Sequence, residues 1–229
     1  MYIPKLKYTF YTPIVLSSIV IGVAVSCLLM KKAGAKKETI RYTALFTFIS
    51  ILLFSYLMGI NLSGNIYQVG FVGAGGALGL IVGAIGSALI HRDHIRDSVA
   101  AWIIVAPLMY GLSKISCHIA GCCNGIPYKG PFCVSYGVKN GKCFFPVQLL
   151  EVVVFLLIFV CGLTLYMKGK ERLRVAEIVL VISALSKVGI EFLRESHMGK
   201  IVSGYQVIVL LIACGGVIGM ERIRKIRKS

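Results

Sequence analysis

The chain of 229 residues is 57% hydrophobic and only 15% charged, with a mean hydropathy of +0.84. This composition excludes a soluble globular domain and indicates an integral membrane protein. The formal net charge of +16 does not indicate nucleic-acid binding, because the basic residues concentrate in alternate connections between apolar segments.

Seven segments are apolar over about the 20 residues that a membrane-spanning helix needs. They predict an all-α integral membrane protein, a seven-transmembrane helical bundle with a small extracytoplasmic loop region. We expect a single domain over residues 1–229 and no cleaved signal peptide, since no small-residue cleavage site clearly follows the first span. The predicted spans are 13–30, 42–60, 69–90, 98–116, 146–167, 175–193 and 201–220.

The distribution of basic residues predicts the orientation of these spans. Clusters of Lys and Arg follow the first, third, fifth and seventh spans, whereas the connection at 61–68 has none. By the positive-inside rule, the N-terminus lies outside and the C-terminus lies in the cytosol.

The third span is rich in glycine. Gly75, Gly79 and Gly83 form two overlapping small-xxx-small repeats, which allow two helices to pack backbone against backbone. A second interpretation, compatible with the first, is that the bare backbone makes room for a lipid.

The longest connection, 121–145, lies outside on this topology. It holds five glycines and two prolines, so we expect turns and irregular structure. An extracytoplasmic position permits disulfides, and Cys133 and Cys143 could close this connection. Zinc binding with His118 is a rival interpretation, but the adjacent pair Cys122–Cys123 lacks the usual ligand spacing, and we predict no metal. Five of the eight cysteines gather near this connection, namely Cys117, Cys122, Cys123, Cys133 and Cys143.

The sixth predicted span contains charged residues where a lipid bilayer disfavours them. Lys187, Glu191 and Arg194 are spaced by four and three residues, which places them on one helix face. Glu191 can pair with both cations, and the net positive face suits an anionic headgroup. Charges within a span mark a functional site by default. The alternative is a helix end whose Lys and Arg reach to the membrane interface, which does not explain the glutamate.

Polar residues of three further spans fall at a similar depth, just under the outer headgroups. These are Lys114 and His118 at the end of the fourth span, Glu151 one turn inside the fifth, and Gln206 near the start of the seventh. Together with the sixth span they predict one shared site for a phospholipid headgroup. Arg is a bidentate partner for phosphate and Lys is a point charge.

The other polar residues have several possible roles in that site. Glu151 and Glu191 could orient the cations or move protons, and His118 could titrate near neutral pH. The structural alternatives are a hydrogen-bonded interfacial His118, and a Glu151–Lys114 pair that joins two helices.

Five stretches resemble the prolipoprotein diacylglyceryl transferase family, in particular a branch that contains a GCC sequence. In chain order from Gly70 to Gln206, they read GFVGAGGALG, KISCHIAGCCNGIP, FPVQLLE, KVGIEFLRE and GYQ. The resemblance implies seven spans in the bacterial cytoplasmic membrane with the N-terminus outside. It also implies transfer of a diacylglyceryl group from phosphatidylglycerol to a lipoprotein-precursor cysteine, with release of glycerol phosphate. No metal or soluble cofactor is implied.

The sequence departs from the family pattern at several positions. Lys114 stands where the family has an arginine that binds phosphatidylglycerol, and Cys117 stands at an asparagine. Lys187 stands at a second essential arginine, and Ala74 lies near the place of a histidine implicated in catalysis. The resemblance implies catalytic roles for Lys187, Glu191, Arg194 and Glu151, and phosphatidylglycerol binding by Lys114, Lys187, Arg194 and Gln206. Because the family's histidine is missing here, we propose His118 as a replacement base for the acceptor thiol.

These observations favour a membrane transferase whose partners are an anionic phospholipid, lipoprotein precursors and the bilayer, with no nucleic acid. The first alternative is a non-catalytic lipid-binding or assembly protein that kept the fold. The second is a thiol–disulfide membrane protein that uses the outer cysteines. Transport is less favoured, because no inverted repeat or pair of broken helices is evident.

Overall fold

A computed structural model of the chain describes residues 2–3, 8–63, 72–91, 94–137, 141–169 and 171–226. Several sequence predictions fall outside these ranges: the start of the third span at 69–71, with Gly70 and Phe71 of the glycine-rich motif, and residues 64–68 of the charge-free connection. Of the basic residues that predict the orientation, four also fall outside them, namely Arg92, Lys170, Arg227 and Lys228.

Within the described ranges the chain forms seven α-helices, and the predicted all-α architecture is confirmed. Two-residue strands β1 (Tyr2–Ile3) and β2 (Ser135–Tyr136) pair in parallel, and short 3-10 helices cover Tyr8–Phe10 and Glu195–His197. The α-helices are α1 (Tyr11–Lys32), α2 (Lys37–Ser63), α3 (Gly73–Ile90), α4 (Ile95–Ala120), α5 (Val147–Met167), α6 (Arg172–Glu191) and α7 (Gly204–Ile226).

Six helices in the described part of the chain are long and apolar enough to cross a bilayer, namely α1 to α5 and α7. In lipid, a helix satisfies its backbone hydrogen bonds internally, which is why apolar runs of this length fold as helices. α6 has a comparable length of 20 residues, but five charged side chains interrupt it. It packs against α4, α5 and α7. The chain is therefore a multi-pass membrane protein, and the single-domain assignment stays a prediction.

The last two helices differ from their predicted bounds, and the start of α7 has a local reason. α6 ends at Glu191 rather than residue 193, and α7 begins at Gly204 rather than residue 201. The backbone N–H of Ser203 donates to Gln206 Oε1 at 2.9 Å, and the backbone N–H of Gln206 donates to Ser203 Oγ at 3.2 Å. This reciprocal pair is a capping box, which satisfies two free donors where a helix begins.

α4 is the central helix of the bundle. It packs against α1, α3, α5 and α6. Every residue from 99 to 105 has at most 1% of its surface exposed. Lys114 and His118, near the C-terminal end of α4, are also buried, each with 7% of its surface exposed.

The glycine-rich α3 packs directly against the backbone of α2. A Cβ atom on Gly75 or Gly79 would collide with backbone carbonyl oxygens of α2, and one on Gly83 would lie 2.7 Å from Thr47 Cα. The small-xxx-small prediction is thereby confirmed. Gly73, Ala74, Gly76 and Ala77 line the central cavity described below, and the interpretation that α3 makes room for a lipid stays a prediction.

In its described residues, 121–137 and 141–145, the connection after α4 consists of turns, isolated bridges and β2, as predicted; residues 138–140 lie outside the described ranges, and its position outside the membrane stays a prediction. A disulfide joins Cys133 and Cys143, which confirms that possible pairing. Backbone hydrogen bonds link this connection to the end of α6: Ile126 N–H donates to Leu193 O at 2.9 Å, and Glu195 N–H donates to Asn124 O at 3.1 Å. These bonds flank Arg194 on both sides and fix its backbone position.

Candidate functional site

Glu151 is the centre of a buried network of charged and polar side chains. It lies one turn inside α5 and is completely buried. Lys187 Nζ donates to its Oε1 at 2.8 Å. Arg194 Nη2 donates to Oε1 at 2.9 Å and to Oε2 at 2.8 Å. Tyr110 supplies a further donor, its hydroxyl, to Oε1 at 2.8 Å. One carboxylate therefore gathers donors from α4, from α6 and from the segment after α6.

Lys114 completes the group of cations around Glu151. Its Nζ lies 3.6 Å from Glu151 Oε2 and 4.7 Å from the centre of the Tyr110 ring. Lys187 Nζ lies 5.0 Å from the centre of the Tyr205 ring. Aromatic faces attract cations without neutralising them. The Lys114–Glu151 contact therefore joins α4 to α5, and it is also part of a larger site.

Glu191 supports the two cations on its own side of the network. Its Oε2 accepts a hydrogen bond from Lys187 at 2.9 Å and lies 3.3 Å from Arg194 Nε. That last contact lacks hydrogen-bonding geometry, so Arg194 Nε is a buried donor without a hydrogen-bond partner in the described part of the chain. A buried donor of this kind calls for an explanation, and a bound anion is one.

The five ionised groups are buried to a similar degree. Lys114, Lys187, Glu191 and Arg194 are between 4% and 8% exposed, and Glu151 is 0% exposed. Burying charges costs several kcal/mol per ion unless the pairing geometry is good. Three cations facing two carboxylates leave one formal positive charge uncompensated, which is the charge complement of a phosphodiester.

A central cavity of about 350 Å³ opens beside this network. Most of its wall is apolar and comes from all seven helices, with residues such as Ile19, Leu80 and Ala213. Its polar lining includes Lys114, Lys187, Arg194, Tyr110 and Tyr205, with the thiols of Cys117 and Cys123. A cavity with an apolar wall and a few converging charged groups fits an amphiphile with an anionic headgroup.

His118 belongs to a separate network. Its Nδ1 lies 3.1 Å from the Tyr136 hydroxyl, and that hydroxyl donates to Gln148 Oε1 at 3.3 Å. Gln148 Nε2 in turn donates to Cys122 O at 2.7 Å. Burial raises the pKa of Tyr136 to about 12, so its hydroxyl stays protonated. This network holds the turn after α4, and His118 is not among the described residues that line the cavity.

Gln206 is also committed to structural hydrogen bonds. Besides capping α7, its Nε2 donates to Val188 O at 3.1 Å. It is 2% exposed and is absent from the described cavity lining. The structure therefore brings Lys114, Glu151, Lys187, Glu191 and Arg194 together, and it places His118 and Gln206 behind them.

Sequence reasoning missed Tyr110 as part of the site. This residue lies four positions before Lys114, on the same face of α4, so helical spacing could have identified it. Cys123 was assigned only to the outer cysteine group. The structure also places Cys123 in the lining of the cavity, together with Lys114 and Arg194.

Comparisons with known proteins bear on this site. The sequence model of the prolipoprotein diacylglyceryl transferase family matches residues 1–221. The chain is 26% identical over 170 residues to phosphatidylglycerol–prolipoprotein diacylglyceryl transferase 2 of Clostridium perfringens (strain 13 / Type A), covering 69% of this chain and 64% of that protein. It is 29% identical over 167 residues to phosphatidylglycerol–prolipoprotein diacylglyceryl transferase of Clostridium tetani (strain Massachusetts / E88), covering 68% of this chain and 66% of that protein. The matches thus span slightly less than two thirds of these relatives.

Proposed function

Because the chain belongs to the prolipoprotein diacylglyceryl transferase family, we propose that it transfers a diacylglyceryl group from phosphatidylglycerol or a related anionic phospholipid. The acceptor is the thiol of a lipoprotein-precursor cysteine, and glycerol phosphate is released. One observation carries the proposal: Lys114, Lys187 and Arg194 converge on Glu151 at the polar lining of an otherwise apolar cavity.

The three cations bind the phosphate of the lipid. All three line the cavity, and they retain one positive charge beyond what Glu151 and Glu191 neutralise. Arg194 supplies a guanidinium whose Nε makes no hydrogen bond to the described residues, and the two lysines supply point charges. The acyl chains lie along the apolar wall, where burial of hydrocarbon favours binding.

The same cations assist the reaction electrostatically. The thiolate sulfur forms a bond to the terminal glyceryl carbon, while the bond between that carbon and the phosphate oxygen breaks. Negative charge accumulates on the departing glycerol phosphate, and cations already held in place stabilise it without reorganisation. Glu151 and Glu191 act by fixing the cations through the bonds described above.

The roles of His118 and Gln206 in the reaction stay predictions. His118 as the base that takes the proton of the acceptor thiol requires the acceptor to approach the turn after α4, where its network lies. Gln206 contributes to lipid binding by capping α7 and so placing Tyr205 against Lys187. The reaction takes place in the outer half of the bacterial cytoplasmic membrane, with the N-terminus outside and the C-terminus cytosolic.

An assay with radiolabelled phosphatidylglycerol in membranes tests the proposal. The wild-type chain should transfer label to a precursor peptide and release glycerol phosphate. Lys187→Ala should lose at least about 100-fold in transfer, in the range found for removing one donor that stabilises transition-state charge. The matched control is Lys200→Ala, which removes an exposed lysine from the connection before α7. Full activity of Lys187→Ala would refute the assigned role.

A second candidate is a lipid-binding protein that kept the fold without the reaction. Ala74 is 3% exposed and lines the cavity, so no titratable side chain projects from that position. Two of the three site cations are lysines, which lack bidentate geometry. This candidate predicts purified protein with one phosphatidylglycerol bound per chain and no release of glycerol phosphate.

A further inference from the structure

Three cysteine thiols lie together where α4 ends. The sulfurs of Cys117, Cys122 and Cys123 all lie within 4.8 Å of one another. Cys117 is buried on the last turns of α4, Cys122 is half-buried, and Cys123 is exposed. Cys117 and Cys123 both line the central cavity. The cluster is therefore adjacent to the cations that the proposed function assigns to the lipid phosphate.

The backbone that presents these thiols is specialised. Cys123 has a φ of 58°, a left-handed conformation that residues other than glycine rarely adopt, at a cost on the order of 1 kcal/mol. Gly121 also has a positive φ, of 66°. Gln148, which is 0% exposed, binds the carbonyl of Cys122. A strained turn held by a buried amide is typical of a site that must present particular side chains.

The separation of the sulfurs fits a thiophilic metal ion. Zinc–sulfur bonds are about 2.3 Å long, so three thiolates around one zinc stand about 3.8–4.0 Å apart. The sulfurs here need to approach one another by at most about 1 Å, within reach of side-chain rotation. Three protein ligands leave the fourth position of a tetrahedral ion open, and two of the three cysteines, Cys117 and Cys123, line the cavity.

The described lining of the cavity offers no group to activate the acceptor, because His118 lies outside it. Among the described residues that line the cavity, none is a histidine or a carboxylate. The acceptor thiol must lose its proton before its sulfur can attack, since the thiolate is the nucleophile. A zinc-class ion promotes this step, because a coordinating thiol is deprotonated.

We propose that Cys117, Cys122 and Cys123 bind one divalent cation of the zinc class and that its open position takes the acceptor thiol. The binding of the acceptor thiol to the ion rests on the proposed function. On binding, the acceptor thiol gives its proton to solvent, and this step takes the place of the base role proposed for His118. Its sulfur then bonds to the terminal glyceryl carbon as the carbon–oxygen bond to phosphate breaks, and the leaving oxygen keeps the electron pair. The ion keeps its oxidation state throughout.

Metal titration of the purified full chain tests the site itself. With the thiols reduced, Co(II) should bind at one equivalent with thiolate-to-cobalt charge-transfer absorption, and Zn(II) should displace it. Cys123→Ser and Cys122→Ser should each weaken binding by more than the ~10–100-fold that loss of an outer-shell partner costs. Cys214→Ser, which removes an exposed cysteine from α7, is the matched control and should bind normally.

Three results would overturn the site: no charge-transfer absorption in the wild type, unchanged binding in both serine variants, or a disulfide within the cluster. The last is read by mass mapping of the protein before reduction, and it would support the thiol–disulfide alternative instead.

A second measurement separates this inference from the proposed function. A cysteine peptide should change the Co(II) ligand-field spectrum, and the same peptide with serine should not. If the cysteine peptide leaves the Co(II) spectrum unchanged, the proposal that the acceptor thiol binds the open position of the ion is wrong. Full transferase activity of metal-free protein overturns the role of the ion and leaves the proposed function intact. Cobalt protein that binds the peptide without releasing glycerol phosphate refutes the proposed function and retains the site.

Discussion

Replacing Glu151 by glutamine tests the electrostatic logic of the site. The substitution keeps the shape of the side chain but removes the negative charge that faces Lys187, Arg194 and Lys114. Three buried cations then face one carboxylate, and the formal excess of positive charge rises from one to two. Breaking a buried ion pair from one side typically costs about 3–5 kcal/mol.

That cost predicts a lower thermal midpoint in neutral lipid. A domain of this size loses roughly 2–4 °C per kcal/mol, so we expect a decrease of roughly 6–20 °C. Phosphatidylglycerol should restore part of the lost thermal stability, because its phosphate supplies the missing negative charge. The midpoint increase caused by phosphatidylglycerol should therefore be larger in Glu151→Gln than in the wild type.

The assay compares thermal unfolding in nanodiscs of phosphatidylcholine alone and of phosphatidylcholine with phosphatidylglycerol. Glu195→Gln, the same change at an exposed position just beyond Arg194, is the matched control. Equal stability of Glu151→Gln and the wild type in both lipids would refute the reasoning, as would a variant that stays unfolded in phosphatidylglycerol nanodiscs.

Two further predictions concern the surroundings of the site. Tyr110→Phe removes one hydrogen bond to the Glu151 carboxylate and should lower the free energy of unfolding by about 1.5–3 kcal/mol, as measured by chemical denaturation. The variant should still bind phosphatidylglycerol. Loss of binding would contradict the assignment of Tyr110 as a support for Glu151. Gly79→Leu inserts a side chain where even a Cβ would collide with the Ser50 carbonyl, so it should separate α2 from α3 and reduce the folded yield. Gly215→Leu, where no atom lies within 4 Å of the added Cβ, is its control, and normal folding of both variants would show that α3 need not contact the α2 backbone.

Much of the architecture could be predicted because the bilayer restricts what the chain can form. Apolar runs of about 20 residues become helices, since lipid offers no other partner for the backbone. The glycine spacing of α3 identified its packing face, because residues four apart share one side of a helix. The sequence SGYQ also contains the Ser203 and Gln206 of the capping box, although its effect on where α7 begins was not predicted.

The roles of the polar residues could not be separated in the same way. His118 and Lys114 lie one turn apart on α4, and spacing alone makes them equivalent. In the structure, Lys114 contacts Glu151, whereas His118 contacts Tyr136 of the connection between α4 and α5. The difference arises from the path of residues 121–137, which no periodicity describes. Irregular backbone depends on tertiary hydrogen bonds such as Ile126 to Leu193.

The sequence by itself determined that this chain is a helical membrane protein of the diacylglyceryl transferase type, with buried cations at a common depth. Hydropathy and charge act locally, residue by residue along a helix, so they can be read without coordinates. Only the tertiary structure decided that one carboxylate, Glu151, organises those cations, and that three cysteines meet beside them. Both depend on how α4, α5 and α6 pack and on a left-handed turn at Cys123. These are contacts between segments distant in the chain or at irregular backbone, where spacing carries no information.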